Sequence, residues 1–307
     1  MGVNRGEKKK VAKRPNKATR RTTRKHGGRK VRRGPTIAEK VDLHRLYEDS
    51  VQCPEEDVVF FSEIYKRLRG GRVPKVLRED FCGTAKVSLA WCRSDPSRRA
   101  FGIDLDRPTL EWARQNNLAP HARSLGNRLK LIEGNVLDPR REKADITSAN
   151  NFSFCVFKER PVLKRYLARA REGLRPNGLL FLEIYGGTEA IQAMEEERDY
   201  DKYRYVWDQH SYDPITNETV CHIHYRFPDG SKIERAYTYD WRLWSIPELR
   251  DLLTEVGFSE VRIFWEKVDE TEDDEDDVMR GTGDYEDVTG TPVEQQESFL
   301  VYVVGMR

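Results

Sequence analysis

Several features of common protein classes are missing from this 307-residue sequence. No run of about 18 apolar residues occurs, which excludes a membrane-spanning helix. No apolar stretch follows the basic N-terminus, so we expect no secretory signal peptide. Cysteines are few, odd in number and never in a C-x-x-C pair: Cys53, Cys82, Cys92, Cys155 and Cys221. This pattern argues against a zinc site and for reduced thiols, so we expect a cytoplasmic protein without a metal.

The first 34 residues have almost no apolar side chains, and they carry one acid, Glu7, against 15 lysines and arginines. Such a segment cannot bury a core, so we expect residues 1–34 to form a disordered basic tail. Outside the tail, 39 basic and 51 acidic residues give the rest of the chain a negative charge. The tail fits a nucleic-acid arm, a nuclear address in a eukaryote, a solubilising segment, or a segment that folds back on the acidic remainder.

From residue 35 onward, helix-like and strand-like segments alternate. Two segments with apolar residues at helical spacing lie within 35–72 and precede the first strand. Five strand-like segments follow: PKVLRE, RAFGIDL, RLKLIEGNV, ADITSANNFSF and NGLLFLEIYGG. Two final strands, EVRIFWEKV and SFLVYVVGM, come after a further helix. This order predicts an α/β fold with a doubly wound, seven-stranded and mostly parallel sheet in residues 35–307.

Two segments interrupt that order. Residues 200–244 read as antiparallel strands rich in Tyr and Trp, and we expect this insertion to cover a substrate; its aromatic residues fit an amine-binding cage or the core of a small sheet. His222 and His224 share a strand face there, but without a third ligand a structural role is favoured over a metal site. Residues 269–297 are strongly acidic, and we expect them to form a flexible loop.

The stretch LREDFCGTAKVSLAW predicts a strand, a turn with a single glycine, Gly83, and a helix. Phe81 and Ala85 occupy the other positions where a dinucleotide-binding loop needs glycine, which disfavours a dinucleotide. Asp104 follows Gly83 by 21 residues at the end of the next strand, where a carboxylate can bind a ribose diol. Asn135 ends the third strand. A rim of acidic and amide groups favours a ribose, an amine or a sulfonium over a phosphate-rich ligand.

On these residues the sequence resembles the class I S-adenosylmethionine-dependent methyltransferases, of the small-molecule type, with the variant first motif EDFCGTA. The further motifs are GIDLD, EGNVLD, ADITSANNFSF and LRPNGLLFLEIYGG. The resemblance implies a Rossmann-like fold and S-adenosylmethionine as cofactor. It implies that Glu79, or Asp80 if the register slips by one, faces the methionine part of the cofactor. It also places Gly83 under the cofactor, Asp104 on the ribose, Asn135 near the adenine amine and Asn151 near the methyl group.

Methyl transfer needs aligned reactants, and a base where the acceptor atom carries a proton. The candidates for these roles at the strand ends are Asn151, Glu183 and Tyr185, while Tyr47 and Gln52 lie on a helix expected to cover the cofactor. The leading hypothesis is methylation of a small molecule at nitrogen or oxygen. One alternative is an RNA or protein methyltransferase guided by the basic tail. Another is a nucleic-acid-binding protein that has a degenerate methyltransferase fold and no catalytic activity.

Overall fold

The computed structural model describes residues 34–269 and 280–307, so all but the last residue of the basic tail lies outside the described residues. Residues Thr36–Arg307 form one compact unit. Its first two helices are α1, Leu43–Val51, and α2, Pro54–Leu68. The carboxylate of Asp42 caps α1 by accepting hydrogen bonds from the first free backbone N–H groups, and Pro54 opens α2, where a missing N–H costs nothing.

The remaining elements alternate as predicted. The further helices are α3 Lys86–Ser94, α4 Arg107–Ala113, α5 Ala122–Leu125, α6 Arg160–Gly173 and α7 Ile246–Glu255. The strands are β1 Val76–Asp80, β2 Arg99–Asp104, β3 Leu129–Glu133, β4 Ala144–Ala149, β5 Leu174–Gly186, β6 Met194–Tyr200, β7 Tyr203–Asp213, β8 Glu218–Arg226, β9 Lys232–Arg242, β10 Glu260–Asp269, β11 Arg280–Asp287 and β12 Phe299–Met306.

The large sheet has eight strands in the order β11-β10-β12-β5-β4-β1-β2-β3. Strands β1 to β5 are parallel, and β12, β10 and β11 add to β5 in antiparallel fashion. The strand order reverses between β1 and β4, and ligands of such sheets bind outside the carboxyl ends at this point. The fold therefore places its binding crevice beside the turn that follows β1.

Both faces of the large sheet are covered by helices. On one face α6 and α7 pack over the sheet, and the predicted apolar stripe of α6, including Leu163, Tyr166 and Leu167, is completely buried. On the other face α2 and α3 pack through Phe61 and Trp91, which are also completely buried. Fully covered faces explain why β5 has an almost continuous apolar run. None of the helices in the described part of the chain is long and apolar enough to cross a membrane.

The insertion is a separate sheet of four antiparallel strands in the order β6-β7-β8-β9. The sheet begins at Met194, earlier than the predicted start at residue 200. The predicted start was too late because β6 was not recognised as a strand in the sequence. Strand β6 consists largely of charged residues, and ion pairs to its neighbours hold it in the sheet. Arg204 of β7 pairs with Glu197, and Arg226 of β8 pairs with Glu195 and Glu197. Hydrophobic periodicity cannot reveal a strand that is held by such pairs.

The prediction of seven strands and of a flexible loop over 269–297 is wrong at residues 280–287, which form the eighth strand, β11. Two side chains explain why this acidic segment is ordered. The ring of Tyr285 lies 4.6 Å from that of Phe60 and 5.2 Å from that of Tyr302. The carboxylate of Asp287 accepts hydrogen bonds from the guanidinium of Arg262 on β10. One aromatic residue and one paired acid thus anchor the strand.

Replacing Tyr285 with alanine tests this anchor. We expect Tyr285→Ala to lower the free energy of unfolding by about 2 kcal/mol, since a half-buried ring loses its contacts and leaves a cavity. Chemical denaturation measures the loss. Asp284→Ala, at an exposed position of the same strand, is the matched control and should change stability by less than about 0.5 kcal/mol. Equal stability of the two variants would contradict an ordered β11.

Candidate cofactor and acceptor site

The turn after β1 keeps the backbone of a glycine-rich loop although it has one glycine. Phe81, Gly83 and Ala85 all have left-handed conformations, with φ of 57°, 49° and 59°. Only glycine adopts this conformation without strain, so the two other residues each cost about 1 kcal/mol. The ring of Phe81 offsets this cost by packing 5.7 Å from the rings of Phe157 and Tyr166. No described atom lies within 4 Å of a Cβ built on Gly83, so this backbone is open to a ligand.

A cavity lies over this turn, at the carboxyl ends of β1, β2 and β4. Its walls also include α1 and the inner face of β9, which supplies Tyr237 and Tyr239. The structure brings six of the predicted residues together here: Tyr47, Glu79, Asp80, Gly83, Asp104 and Asn151. Gln52, also expected at the cofactor, lines the same cavity. His44, one turn before Tyr47 on α1, was missed by the sequence analysis.

The adjacent acids Glu79 and Asp80 have different surroundings. Asp80 is completely buried, and its two oxygens are occupied by the guanidinium of Arg78, at 2.7 Å, and the hydroxyl of Tyr166, at 3.0 Å. Glu79 accepts a hydrogen bond from the backbone N–H of Ser88 at 2.8 Å, and burial raises the pKa of its carboxyl to about 7. Glu79 is therefore the acid whose ionisation can change when a charged ligand binds, whereas Asp80 supports the turn.

Asp104 joins the two loops that form the cavity floor. Its Oδ2 accepts a hydrogen bond from the N–H of Gly83 at 2.7 Å, and its Oδ1 accepts one from the N–H of Asp106 at 2.9 Å. Each carboxylate oxygen can accept further bonds, so the group can still receive two hydroxyls. The next residue, Leu105, is 68% exposed, which is unusual for a leucine beside a polar cavity. Its side chain offers an apolar surface beside Asp104.

Asn135 was predicted to lie near the adenine amine of the cofactor, but its side chain is not among those that line the cavity. Its Oδ1 accepts a hydrogen bond from the N–H of Leu137, and its carbonyl accepts one from the guanidinium of Arg140. An asparagine at such a turn bonds its own backbone two residues on. The structure thus gives Asn135 a role in shaping its own loop.

The end of β4 carries a pair of asparagines. Asn151 has a φ of 50°, and its backbone N–H donates a hydrogen bond to the carboxylate of Glu183. Asn150 is 8% exposed and lines the cavity, and both polar atoms of its side chain lack a hydrogen-bond partner among the described residues. An unpaired buried amide costs about 1–3 kcal/mol, which a bound ligand can recover. Asn150 was not predicted from the sequence, because the motif was matched to the neighbouring Asn151.

A second cavity adjoins the first and shares Gln52 and Asn151 with it. Four carboxyl groups line it: Glu56, Asp57, Glu183 and Glu266. Burial raises the pKa of Glu183 and of Asp57, and the nearby charge of Asp57 raises the pKa of Glu183 further. Glu183 thus lines this second cavity. Tyr185, a predicted catalytic residue, is instead packed 4.6 Å from the ring of Phe152, with its hydroxyl 4.0 Å from the Cys221 sulfur.

Comparison with known proteins identifies the class that this fold and this site define. No protein-family model matches the sequence. The malonyl-[acyl-carrier protein] O-methyltransferase of Xylella fastidiosa (strain M23) is 24% identical over 205 residues, which are 64% of this chain. The match covers 66% of that relative, just under two thirds of its length.

Solved structures extend the similarity over most of the described fold. An S-adenosylmethionine-dependent methyltransferase from Clostridium acetobutylicum ATCC 824 matches with a TM-score of 0.58 at 14% identity, over 85% of this chain and 96% of that one. CalS10, an amino pentose methyltransferase from Micromonospora echinaspora solved with bound cofactor, matches with a TM-score of 0.56 at 12% identity, over 84% and 95%. The sugar N-methyltransferase KedS8 from Streptoalloteichus sp ATCC 53650 gives 0.56 at 14% identity, over 87% and 93%.

The chain therefore has the fold of these S-adenosylmethionine-dependent methyltransferases, and the predicted Rossmann-like α/β fold is confirmed. These similarities, none above 24% identity, are similarities of fold. They lend no support to a nucleic-acid partner, and the tail, for which nucleic-acid binding was one of the alternatives, lies outside the described residues, apart from Gly34.

The predicted contact of Asp104 with a cofactor ribose can be tested directly. We expect Asp104→Ala to weaken S-adenosylmethionine binding at least about tenfold, since two charge-assisted hydrogen bonds of about 1.5–3 kcal/mol each are lost. Isothermal titration calorimetry measures the affinity. Glu133→Ala is the control, because Glu133 pairs with Asp104 in the strand register but is exposed. A well-folded Asp104→Ala protein that binds the cofactor as tightly as the parent would refute the assignment.

The raised pKa of Glu79 predicts a pH-dependent stability. Its ordinary pKa is 4.5 and its folded pKa is about 7, so folding disfavours the ionised form. The stability linked to the neutral form is complete below about pH 4.5 and is lost as the pH rises through about 7. We expect Glu79→Gln, which stays neutral, to gain up to about 3 kcal/mol on the parent between about pH 5 and pH 8.

Denaturant unfolding of both proteins at the two pH values measures this gain. Adding S-adenosylmethionine at the higher pH provides the control, because its cationic methionine part should favour the ionised Glu79. The cofactor should then stabilise the parent more than the variant. If the gain in the free energy of unfolding of Glu79→Gln did not depend on pH, the assignment of a buried, neutral carboxyl to Glu79 would be wrong. If the cofactor stabilised both proteins equally, Glu79 would not belong to the binding site.

Proposed function

We propose that this chain transfers a methyl group from S-adenosylmethionine to a small molecule, and that the acceptor atom is the nitrogen of an amine. The observation that carries the proposal is the pair of adjoining cavities, which share Gln52 and Asn151. The first has the residues expected for the cofactor, and the second is lined by carboxyl groups. A cationic amine suits such a lining, whereas a carboxylate substrate would be repelled by it.

The first cavity fits S-adenosylmethionine on three observations. The backbone at Gly83 is open to close approach. Asp104 has acceptor capacity left for ribose hydroxyls. The unpaired amide of Asn150 can donate to the carboxylate and accept from the ammonium of the cofactor's methionine part, with Glu79 beside it as a counter-charge. When bound, the cofactor supplies an electrophilic methyl group on a positively charged sulfur.

Glu183 is the proposed base. An amine must be unprotonated to attack a methyl group, so a group that takes its proton is needed at neutral pH. The carboxylate of Glu183 is fixed by the N–H of Asn151 at the junction of the two cavities. Burial and the neighbouring Asp57 raise its pKa, which brings it closer to the pH at which a base is efficient. Asp57 and Glu266 remain to hold the ammonium form of the acceptor before the proton is lost.

The cover over the cavity comes from two elements. Tyr47 of α1 packs against Tyr237 of β9 with ring centroids 4.8 Å apart, and both rings line the cavity together with Tyr239. Aromatic faces stabilise a nearby cation, whether a sulfonium or an ammonium group. The cover also excludes water, which strengthens the charge interactions within the site.

A methyl-transfer screen tests the function. Tritiated S-adenosylmethionine is incubated with the protein and with pools of primary and secondary amines, hydroxyl compounds, carboxylic acids, RNA and proteins. We expect label to pass to amines. In Glu183→Gln, kcat should fall at least about 100-fold while cofactor affinity stays within about twofold, because the base is lost and the first cavity is intact.

Glu286→Gln, at an exposed position of β11, is the matched control and should keep full activity. Transfer to hydroxyl or carboxyl compounds alone would overturn the nitrogen assignment and leave the methyltransferase standing. Label found only in RNA or protein would overturn the small-molecule acceptor. Cofactor binding without transfer to any pool would contradict the catalytic role of the second cavity.

A further inference from the structure

The insertion sheet carries a cluster of possible metal ligands that the proposed function does not use. Asp208 and His210 on β7 and His222 on β8 each offer a ligand atom, and these atoms lie within 4.8 Å of one another. His222 and His224 were recognised in the sequence as possible ligands, but the sequence alone did not indicate a third ligand near them. Strand pairing supplies it, because Asp208 lies directly opposite His222 in the register of β7 and β8.

This cluster lies on the face of the sheet that points away from the cofactor cavity. His222 pairs in register with Thr238 of β9. The two residues that flank Thr238, Tyr237 and Tyr239, line the cavity. Side chains alternate between the faces of a strand, and cross-strand partners share a face, so His222 and its neighbours face the other way. The cluster is therefore a separate site.

The ring of His222 is held in an orientation that suits metal binding. The residue is 3% exposed, and its Nδ1 lies 2.9 Å from the hydroxyl oxygen of Thr238 on β9. The Nδ1 edge of the ring thus faces β9, and a ring nitrogen of His222 lies within 4.8 Å of the ligand atoms of Asp208 and His210. Within residues 34–269 and 280–307, Nε2 makes no hydrogen bond. Metal-binding histidines commonly donate their other ring N–H to an oxygen, and Thr238 provides that oxygen.

Two neighbours complete the arrangement. The Nε2 of His224 lies 3.3 Å from Oδ2 of Asp208, so His224 orients the carboxylate. His210 has a side chain that is 52% exposed, and its Nδ1 is 3.7 Å from the same oxygen, which leaves the site open to solvent on this side.

We infer that Asp208, His210 and His222 bind a divalent transition-metal ion, with Zn²⁺ as the best match. Zinc accepts two imidazoles and one carboxylate, and water takes the fourth position of its tetrahedron. Donor atoms around zinc are about 3.3 Å apart when the bonds to the metal are about 2.0–2.1 Å long. The ligand atoms of this cluster lie within 4.8 Å of one another, so they must approach each other by up to about 1.5 Å to bind the ion. Rotation of the exposed His210 side chain allows most of this movement. The bound ion would link β7 to β8 and stiffen the sheet whose other face covers the cofactor.

Metal titration of the full chain tests this site. The protein carries no histidine tag, and it has the substitutions Cys53→Ser and His26→Ala, because an exposed thiol and a tail imidazole would compete for the ion. We expect one equivalent of Zn²⁺ to bind and to raise the melting temperature. Co²⁺ in its place should give the visible absorption of a tetrahedral site, and Zn²⁺ should remove that absorption.

Three further variants locate the ion. His210→Ala should weaken Zn²⁺ binding at least about 100-fold, since it removes a direct ligand at an exposed position where the fold is not at risk. His224→Gln should weaken it about 10–100-fold through the freed carboxylate. His121→Ala, which changes a histidine outside the cluster, should leave it unchanged. The absence of stoichiometric Zn²⁺ binding, or the same affinity in His210→Ala as in the parent, would overturn the proposal.

Discussion

A buried ion pair at the end of β1 supports the part of the fold on which the site depends. The guanidinium of Arg78 donates to Asp80 at 2.7 Å, and both side chains are almost completely buried. The hydroxyl of Tyr166 on α6 donates to the other oxygen of Asp80, and Gly173 on the same helix leaves room for the guanidinium, which lies 2.5 Å from where a Cβ would be. Removing one partner of such a pair costs about 3–5 kcal/mol, because the other charge is left uncompensated. The pair thus fixes the strand end from which the cofactor turn begins.

The sequence predicted those parts of the site that depend on local pattern and on strand order. Gly83 and Asp104 followed from a turn and a spacing, and the sheet's parallel order brings both to the same edge. Residues that depend on tertiary packing were not predictable. Glu183 and Tyr185 are two residues apart on β5, so their side chains point to the same face of the sheet. Phe152, which has a left-handed backbone conformation, packs on the ring of Tyr185, whereas Glu183 lines the second cavity. The pairing of Asp208 with His222 was likewise hidden, because no sequence pattern fixes the register of β7 against β8.

The two cavities and the insertion sheet combine into one arrangement. Strand β9 contributes Tyr237 and Tyr239 to the cofactor cavity, and its Thr238 contacts His222 on the opposite face. Strand β8 lies between β7 and β9, so its position is tied both to the histidine cluster and to the cover of the cavity. Helix α1 completes the cover through Tyr47. The second cavity lies on the other side of Asn151, where α2 and β11 contribute to its wall.

The aromatic residue in the cofactor turn has a consequence for the energetics of binding. In a turn built from several glycines, the free chain samples many conformations, and a ligand must restrict them. Here Phe81 is anchored between Phe157 and Tyr166, and the backbone N–H of Gly83 donates a hydrogen bond to Asp104 within the fold itself. The entropy of ordering the turn is therefore lost during folding rather than during binding. The chain exchanges the adaptability of a glycine-rich loop for a preorganised one, which lowers the entropic cost of each binding event.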